Sequence, residues 1–282
     1  MPLDSSLICL GMGSGSGSNL RELIRAEDGY SLALLFSDRQ SEISDLALKH
    51  NRAYMSLNAK SITGTKPDDN ELNNYINACE RYENLVLQQI SAWEMQNHNI
   101  DLVLLGGYMR LLRQPFMQRF EGRILNVHPG DLSIEDPAGE RLLIGSKAVL
   151  KALLLGLSGT KSSIHIVTSQ MDAGPIIATS ELIPFADIML QIRDQILMPL
   201  LSRIQINEDN FNSISSAEME QLTHRLKKDF PVAMKEVLRH CKEHQNKQKE
   251  LADWPVYTKS VVAIAKGDIK LPTIKKEGIF AC

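Results

Sequence analysis

Asn126 and His128 stand two residues apart at the end of an apolar run, immediately before Pro129. In an extended backbone, side chains two residues apart project to the same side, so the amide and the imidazole can reach one point. An amide donor beside an imidazole suits an oxygen that gains negative charge during a reaction. A histidine at a strand end also serves as a structural hydrogen-bonding group, and the pair alone leaves both interpretations open.

Asp172 is a third candidate, in the segment 171–175, which reads Met-Asp-Ala-Gly-Pro. Aspartate, glycine and proline favour turns, so the segment could be a turn without a chemical role. A carboxylate that met His128 in space would orient the ring and raise the pKa of the imidazole, favouring the imidazolium near neutral pH. The chemical prediction therefore depends on whether Asp172 and His128 lie together.

A glycine-rich stretch, residues 11–19, follows the first apolar run and precedes a helical pattern. Small residues let backbone N–H groups approach an anion, and a helix N-terminus adds a favourable dipole. The stretch lacks the Gly-Lys-Ser/Thr ending of a P-loop. It also lacks the third glycine of a dinucleotide-binding loop, since no glycine stands five positions after Gly11, Gly13 or Gly15. The stretch is either an anion-binding loop or a flexible turn.

Six short apolar runs, separated by helical patterns, indicate a sheet that is buried on both faces and wound with crossover helices. The runs are residues 7–10, 32–36, 102–105, 124–127, 163–167 and 176–182. We therefore predict an α/β fold with a Rossmann-like, doubly wound, mostly parallel sheet. Ligands of such sheets bind at the carboxyl ends of the strands, where the glycine-rich stretch and His128 fall. Beyond residue 185 only helical patterns follow.

Composition argues against several classes of function. The net charge is −3 and no basic run is present, which disfavours binding to nucleic acid or to an anionic membrane. The longest apolar run, residues 148–157, is too short to span a bilayer, and the N-terminus lacks signal-peptide features. The four cysteines show neither paired nor metal-type spacing: Cys9, Cys79, Cys241 and Cys282. We expect a cytoplasmic protein without a bound metal.

Four segments, taken in order, resemble the glycinamide ribonucleotide formyltransferases. They are residues 15–20, 101–112, 122–129 and 172–175. Each segment is a weak signal alone, but together they follow the family's order across residues 7–185. The resemblance implies the formyltransferase fold, and it places the family's catalytic Asn, His and Asp on Asn126, His128 and Asp172.

The resemblance implies transfer of a formyl group from 10-formyltetrahydrofolate to the amine of glycinamide ribonucleotide, in purine biosynthesis. Asn126 and a protonated His128 would stabilise the oxyanion, while Asp172 would hold His128 and assist proton movement. The substrate phosphate would bind five residues of the glycine-rich stretch: Gly15, Ser16, Gly17, Ser18 and Asn19. The folate would bind six others: Tyr108, Met109, Arg110, Leu111, Leu112 and Met171. Apart from the resemblance, Met109 and Leu111 could be core side chains and Arg110 a solvated charge.

The C-terminal third also resembles the family at residues 253–267, which match its closing helix. We therefore expect a formyltransferase core, a helical insertion, and a closing helix with a tail packed on the core, at residues 1–185, 186–245 and 246–282. Asp253 would replace a glutamate that binds the substrate amine or ribose, or it could be an ordinary surface aspartate. Within the insertion, Ser215 and Glu218 have the spacing of a helix capping box.

The segment after Pro129 departs from the family, which usually continues with Ser-Leu-Leu-Pro. Gly130 stands in place of that serine, and Ala173 stands in place of a glycine beside Asp172, which limits backbone freedom there. Three acidic residues follow Gly130: Asp131, Glu135 and Asp136. Their charges would disfavour an anionic ligand nearby unless the loop turns outward.

These departures leave the acceptor open. It could be another amine, such as that of a sugar nucleotide. It could also be water, as in a deformylase, but that enzyme usually carries an N-terminal regulatory domain, and we expect none before Leu7. Activity could also be lost, against which the intact catalytic side chains argue. A nicotinamide-dependent enzyme is a further alternative because Asp38 ends the second strand, but the missing glycine disfavours it. We interpret His165 as structural, and we expect small-molecule partners and a monomer or homodimer.

Overall fold

The computed structural model describes residues 6–67, 72–206, 211 and 213–271. These residues form nine strands, β1 to β9 in chain order: Leu7–Gly13, Tyr30–Ser37, Ala53–Ser56, Leu102–Leu105, Ile124–His128, Gly159–Thr160, Ser163–Ile166, Ile176–Thr179 and Ile183–Pro184. They also form eleven α-helices, α1 to α11: Ser18–Arg25, Ile43–Lys49, Ala59–Thr63, Leu72–Glu94, Gln114–Arg119, Ala148–Leu154, Asp187–Ile192, Met198–Arg203, Ser216–Asp229, Pro231–Gln248 and Trp254–Ala265. Single π-helical segments lead directly into α8 and α11: Arg193–Leu197 and Lys249–Asp253.

Seven of the strands form one sheet in the order β3-β2-β1-β4-β5-β7-β8. Strand β1 pairs in parallel with β2 and β4, and the pairs β2–β3 and β4–β5 are also parallel. Strand β8, at the edge, is antiparallel to β7, and β6 pairs with β9 in a separate antiparallel ribbon. The predicted Rossmann-like, mostly parallel α/β fold is confirmed.

The chain divides into two compact units. The first unit contains residues up to 126, residues 166–170 and the chain from residue 257 onward. The second unit contains residues 127–165 and 171–256. The division into a core, an insertion and a closing helix at residues 185 and 245 remains a prediction, and the tail beyond residue 271 lies outside the described residues.

The first unit has a core of strand residues covered by α4 and α5. Strands β1 and β4 are apolar on both faces because helices cover a parallel sheet from both sides. The core side chains include Leu10, Met12, Leu34, Phe36, Tyr82, Val86, Ile90, Val103, Leu105, Phe116 and Phe120. Helix α11 is attached to β5 by the buried Tyr257, whose hydroxyl donates to the carbonyl of Leu125 at 3.0 Å.

The second unit has a separate aliphatic cluster that joins α6 to the helices that follow residue 186. Its members include Leu150, Leu153, Leu154, Met189, Leu197, Leu201, Met219, Leu222, Leu226, Met234 and Val237. Burying each such side chain contributes roughly 1.5–3 kcal/mol, and the cluster packs α7 to α10 against α6. The predicted capping box is confirmed: Ser215 Oγ accepts from Glu218 N, and Glu218 Oε2 accepts from Ser215 N at 2.8 Å.

A buried polar network ties α10 to the segment around β6 in the second unit. Gln248 accepts a hydrogen bond from Thr160 Oγ1 at 2.8 Å and donates to Ser162 Oγ at 2.9 Å. Ser162 in turn donates to Asp253, and His244 Nε2 lies 2.8 Å from Thr160 Oγ1. Since the Thr160 hydroxyl already donates to Gln248, His244 is the donor in the last bond. Burial lowers the pKa of His244 to about 4, so this ring is neutral at pH 7.

No helix among the described residues is both long and apolar enough to cross a membrane. In the same part of the chain, no group of three or more His, Cys, Asp or Glu side chains could hold a metal ion. Cys9, Cys79 and Cys241 are buried free thiols. Burial raises the pKa of Cys241 to about 12, so its thiol stays protonated and unreactive.

Candidate active site

Strand β5 carries two of the predicted catalytic side chains near its carboxyl end. Its parallel register with β4 pairs Asn126 with Leu105, the last residue of that strand. Asn126 is partly buried, and His128, the last residue of β5, is 4% exposed. Pro129 follows directly and has no N–H to continue the ladder, so the strand ends at the histidine.

The carboxylate of Asp172 lies beside the imidazole of His128. Asp172 Oδ2 is 3.4 Å from His128 Nδ1 and accepts a hydrogen bond from the N–H of Gly145 at 2.7 Å. Asp172 Oδ1 is 3.4 Å from His165 Nε2. The structure therefore brings His128 and Asp172 together, as their chemistry required, while the catalytic role of each remains a prediction.

The turn that carries Asp172 is held through its backbone. Asp172 has φ of 54°, in the left-handed region that residues other than glycine rarely adopt. Arg141 Nη1 donates to the carbonyl of Asp172 at 2.5 Å and to that of Gly174 at 2.9 Å. These two bonds fix the carbonyls on either side of Ala173. One guanidinium group thus stabilises a turn in which Ala173 replaces a glycine of the family.

The other ring nitrogen of His128 faces residues 130–147, which we call the covering segment. His128 Nε2 lies 2.6 Å from the carbonyl oxygen of Leu143. A carbonyl only accepts, so Nε2 carries a proton. In a neutral ring, Nδ1 then presents its lone pair towards Asp172, and proton uptake at Nδ1 is favoured by the neighbouring carboxylate.

The pKa values of the two groups differ from the expectation of an imidazolium. Burial lowers the pKa of His128, although the charge of Asp172 and the hydrogen bond to Leu143 act in the opposite direction. The ring is therefore mainly neutral near pH 7. Burial acts to raise the pKa of Asp172, but bonding to His165, the positive charge that His128 carries when it is protonated, and the N–H of Gly145 outweigh it, so the pKa lies below its ordinary value. An ionised carboxylate thus stands beside an imidazole that can accept a proton.

Gly130 explains how the covering segment can approach His128. A Cβ atom at Gly130 would lie 3.0 Å from both His128 Nε2 and the carbonyl oxygen of Leu143, and 3.1 Å from Ala148 Cβ. Such separations are shorter than almost all Cβ contacts in proteins, so the serine of the family would displace its neighbours. The replacement by glycine therefore makes the space that Leu143 fills.

Two of the three acidic residues after Gly130 have partners inside the second unit. Asp131 Oδ2 is 3.3 Å from Lys161 Nζ, and Asp131 Oδ1 accepts from Ser133 N at 3.1 Å. Asp136 accepts from the N–H groups of Ala138 and Glu140, both at 2.9 Å, and from that of Ser216 at 3.3 Å. Both residues are less than 9% exposed, so this part of the loop does not turn outward, the condition under which the sequence analysis would have allowed an anionic ligand nearby.

The predicted phosphate-binding residues connect β1 to α1 in the first unit. Gly15 and Ser16 are exposed, and Ser18 is half-buried. Gly17 and Asn19 are buried. The N–H of Ser14 donates to the carbonyl of Gly107 at 3.2 Å, and Ser14 Oγ accepts from the N–H of Met109 at 3.0 Å. The predicted phosphate loop is therefore hydrogen-bonded to the predicted folate-binding loop.

The predicted folate-binding residues include three exposed apolar side chains. Met109 is 76% exposed and Leu111 is 64% exposed, so the alternative that they belong to the core is wrong. Met171, in the second unit, is 50% exposed. Single exposed apolar side chains are common on protein surfaces, so contact of these three with the folate remains a prediction.

The remaining residues of that loop pack on the first unit. Tyr108 and Leu112 contact its core, and the guanidinium of Arg110 lies 5.0 Å from the ring centroid of Tyr82. Arg110 Nη2 also approaches Cys79 Sγ at 3.5 Å. Arg110 is therefore more than a solvated charge, because it anchors the loop between two exposed apolar residues.

Asp253 lies in the buried network of the second unit and is 4% exposed. Its carboxylate accepts from Ser162, and burial raises the pKa of Asp253 although Ser162 and Lys249 oppose the change. The alternative of an ordinary surface aspartate is wrong. A contact between Asp253 and the substrate remains a prediction.

Several groups around the His128–Asp172 pair were not predicted from the sequence. His165, which we interpreted as structural, contacts Asp172, and its position on a strand among apolar residues was the available signal. Arg141, Leu143 and Gly145 gave no signal. Their contacts involve backbone atoms, which leave little trace in residue type.

The chain is similar in sequence to a known family and to several characterised relatives. Residues 10–187, more than half of the chain, match the family model described as formyl transferase. The human trifunctional purine biosynthetic protein adenosine-3 is 33% identical over 171 residues, which are 58% of this chain and 14% of that protein. The phosphoribosylglycinamide formyltransferase of Bacillus subtilis is 29% identical over 171 residues, which are 58% of this chain and 73% of that enzyme. The chain thus spans only a small part of the human relative.

A solved structure agrees in fold over a longer stretch. The phosphoribosylglycinamide formyltransferase of Anaplasma phagocytophilum superimposes with a TM-score of 0.56 at 19% sequence identity. The match covers 95% of this chain and 91% of that one. At this identity the agreement concerns the fold, including residues beyond 187.

Proposed function

The chain belongs to the formyl transferase family, and we propose that it transfers the formyl group of 10-formyltetrahydrofolate to the amine of glycinamide ribonucleotide in purine biosynthesis. The observation that carries the proposal is the contact of 3.4 Å between His128 Nδ1 and Asp172 Oδ2 at the end of β5. The choice of acceptor is supported by relatives that bear the name phosphoribosylglycinamide formyltransferase.

The reaction sets three tasks for the protein. The amine nitrogen bonds to the formyl carbon, the bond from that carbon to N10 of the folate breaks, and a proton passes from the amine to the leaving nitrogen. Asn126 donates to the formyl oxygen as negative charge develops there. His128, which is mainly neutral, accepts the amine proton at Nδ1 and then gives it to N10 of the departing folate, and the ionised Asp172 stabilises the imidazolium that forms between the two transfers.

The two ligands have separate binding regions in the proposal. Residues 15–19 hold the phosphate through backbone N–H groups at the start of α1. Met109, Leu111 and Met171 contact the folate with exposed apolar side chains, while Tyr108, Arg110 and Leu112 hold the loop in place. Asp253 binds the amine or ribose only if it leaves its bond to Ser162.

The test is to incubate the purified protein with 10-formyltetrahydrofolate and glycinamide ribonucleotide. We expect formylglycinamide ribonucleotide by mass spectrometry and an equal amount of tetrahydrofolate by absorbance. The variant Asp172→Asn should retain the fold and lose most of the activity. Absence of the formylated product with the folded wild-type protein would refute the proposed acceptor.

A second candidate is a formyltransferase that acts on a different amine. The observation behind this candidate is the departure from the family beside His128, where Gly130 replaces the family's serine and the carbonyl of Leu143 lies 2.6 Å from His128 Nε2. A panel containing a sugar-nucleotide amine, glycinamide ribonucleotide and no amine separates the possibilities. Product with the sugar amine alone supports this candidate, and release of formate without an amine supports a deformylase.

The proposal also includes a cytoplasmic location, small-molecule partners without nucleic acid or membrane, and a monomer or homodimer. Light scattering during size-exclusion chromatography measures the last of these. A mass near 31.5 kDa indicates the monomer, and twice that mass indicates the homodimer.

A further inference from the structure

Helix α6 contains a buried lysine in an otherwise apolar sequence. All seven residues of α6 are buried, and six of them are alanine, valine or leucine. Lys151, the exception, has a side chain that is 1% exposed. Burying an ammonium group is costly unless it is paired and hydrogen-bonded. A leucine or methionine here could join the aliphatic cluster, so the charge calls for a chemical explanation.

Two oxygen atoms face the ammonium group of Lys151. Lys151 Nζ donates to the carbonyl of Ile144 at 2.8 Å and lies 2.7 Å from Glu220 Oε2. Glu220 belongs to α9 and its side chain is 54% exposed. The ion pair therefore connects a helix beyond residue 186 to the covering segment.

The carbonyl that Lys151 binds belongs to the same peptide unit as the N–H that binds Asp172. The peptide between Ile144 and Gly145 is planar and trans, so its C=O and N–H point in opposite directions. Its oxygen faces Lys151, and its N–H donates to Asp172 Oδ2 at 2.7 Å. The cation polarises the amide and strengthens the N–H as a donor, as hydrogen bonds in a chain reinforce one another. The preceding residue, Leu143, binds His128 Nε2.

We infer that Lys151 and Glu220 are positioning residues for the His128–Asp172 pair, acting through the Ile144–Gly145 peptide. Lys151 fixes the orientation of that peptide, and the peptide fixes Asp172 Oδ2 and the carbonyl that faces the His128 ring. Glu220 partly neutralises Lys151 and holds it in place. The helices beyond residue 186 thereby contribute to the site without touching the reacting atoms.

The charges around His128 give the inference a directional test. Within the second unit, its ring is influenced by Asp172, His165 and Lys151. Removing the positive charge in Lys151→Met should raise the pKa of His128. Removing the negative charge in Glu220→Gln leaves Lys151 less neutralised and should lower it. A purely structural contact would not produce shifts of opposite sign.

The experiment is an NMR titration of the protein labelled with 13C-histidine, without substrate, with the His128 signal identified by its loss in His128→Gln. The control is Glu236→Gln, which removes an exposed carboxylate from α10 that pairs with Arg239. Opposite shifts in the two test variants and none in the control support the inference. Absent shifts, or shifts of one sign, overturn it. If Lys151→Met does not fold, Glu220→Gln decides the matter alone, since its side chain is half exposed.

Turnover provides a second readout, and this part rests on the proposed function. We expect Lys151→Met to lower kcat about tenfold and Glu220→Gln about threefold, with KM values nearly unchanged. A fall in kcat without any change in the His128 titration would indicate a merely structural role and overturn the inference. If the wild-type protein forms no product, the proposed function fails, while the titration still decides the inference.

Discussion

The glycine-rich stretch and the covering segment both lie at the carboxyl ends of strands of the main sheet, but they differ in exposure and in the groups that their backbones contact. In the first region Gly15 and Ser16 are exposed, and the adjoining loop presents Met109 to solvent. In the second, the backbone groups of Leu143 and Gly145 are engaged with His128 and Asp172. The region that keeps the family pattern is open, and the region that departs from it is closed by internal contacts. A departure from the family pattern has thus added hydrogen bonds to the proposed reactive pair.

The largest expected effect is a loss of turnover when the side chains of β5 near the site are removed. Asn126→Ala and His128→Ala should each lower turnover ~100-fold or more, since each removes a group from the reacting centre. Initial-rate measurements of formyl transfer provide the check, and His98→Ala, at an exposed position, is the control. Full activity of His128→Ala would show that the His128–Asp172 pair is not the reactive one, and full activity of Asn126→Ala would exclude Asn126 as the oxyanion donor.

A pair of glycine substitutions compares the two regions directly. Gly130→Ser should lower the free energy of unfolding by roughly 1–3 kcal/mol, because the new side chain meets His128 and Leu143. Gly15→Ser should change it by less than about 0.5 kcal/mol, because no atom lies within 4 Å of a Cβ there. Urea denaturation measures both values. Equal stabilities would remove the distinction between an open and a closed region.

The open region can be tested through ligand affinity. Met109→Ala combined with Leu111→Ala should raise KM for the folate about tenfold, through loss of apolar contact area with the ligand. Stability should hardly change because both side chains are exposed. Leu48→Ala, at a position that is 84% exposed, is the control. An unchanged KM would show that these side chains are exposed for another reason.

The smallest effect concerns the neutral state of His128. The pKa of this ring is lower in the folded protein than its ordinary value of about 6.5. As pH falls below about 6.5, the unfolded chain therefore takes up this proton more readily, and stability decreases. The unfolding free energy of the wild-type protein should fall more steeply between pH 7 and pH 5 than that of His128→Gln. His244 contributes equally to both proteins, so parallel curves would mean that the covering segment does not hold the ring neutral.

The sequence predicted the fold because its signals are local and repeated. Apolar runs and helical spacing determined the strands and helices, and Ser215 with Glu218 correctly predicted the start of α9. The meeting of His128 with Asp172 was expected from the family resemblance, since the residues themselves left it open. The neutral state of His128 was not, since it depends on burial by residues that the motif does not contain. The contact between Lys151 and Glu220 spans 69 positions and two helices, and neither residue type signals it.

The buried network around Thr160 fixes how far α10 can slide along its own axis. Its residues His244 and Gln248 are one helical turn apart, about 5.4–6 Å along the axis. A slip of one turn would bring one into the place of the other and leave buried polar atoms without partners, at about 1–3 kcal/mol for each. The aliphatic cluster cannot impose this restriction, because leucine and methionine side chains tolerate sliding against one another. These five polar side chains therefore select a single alignment of the helix among several that would bury the same apolar area.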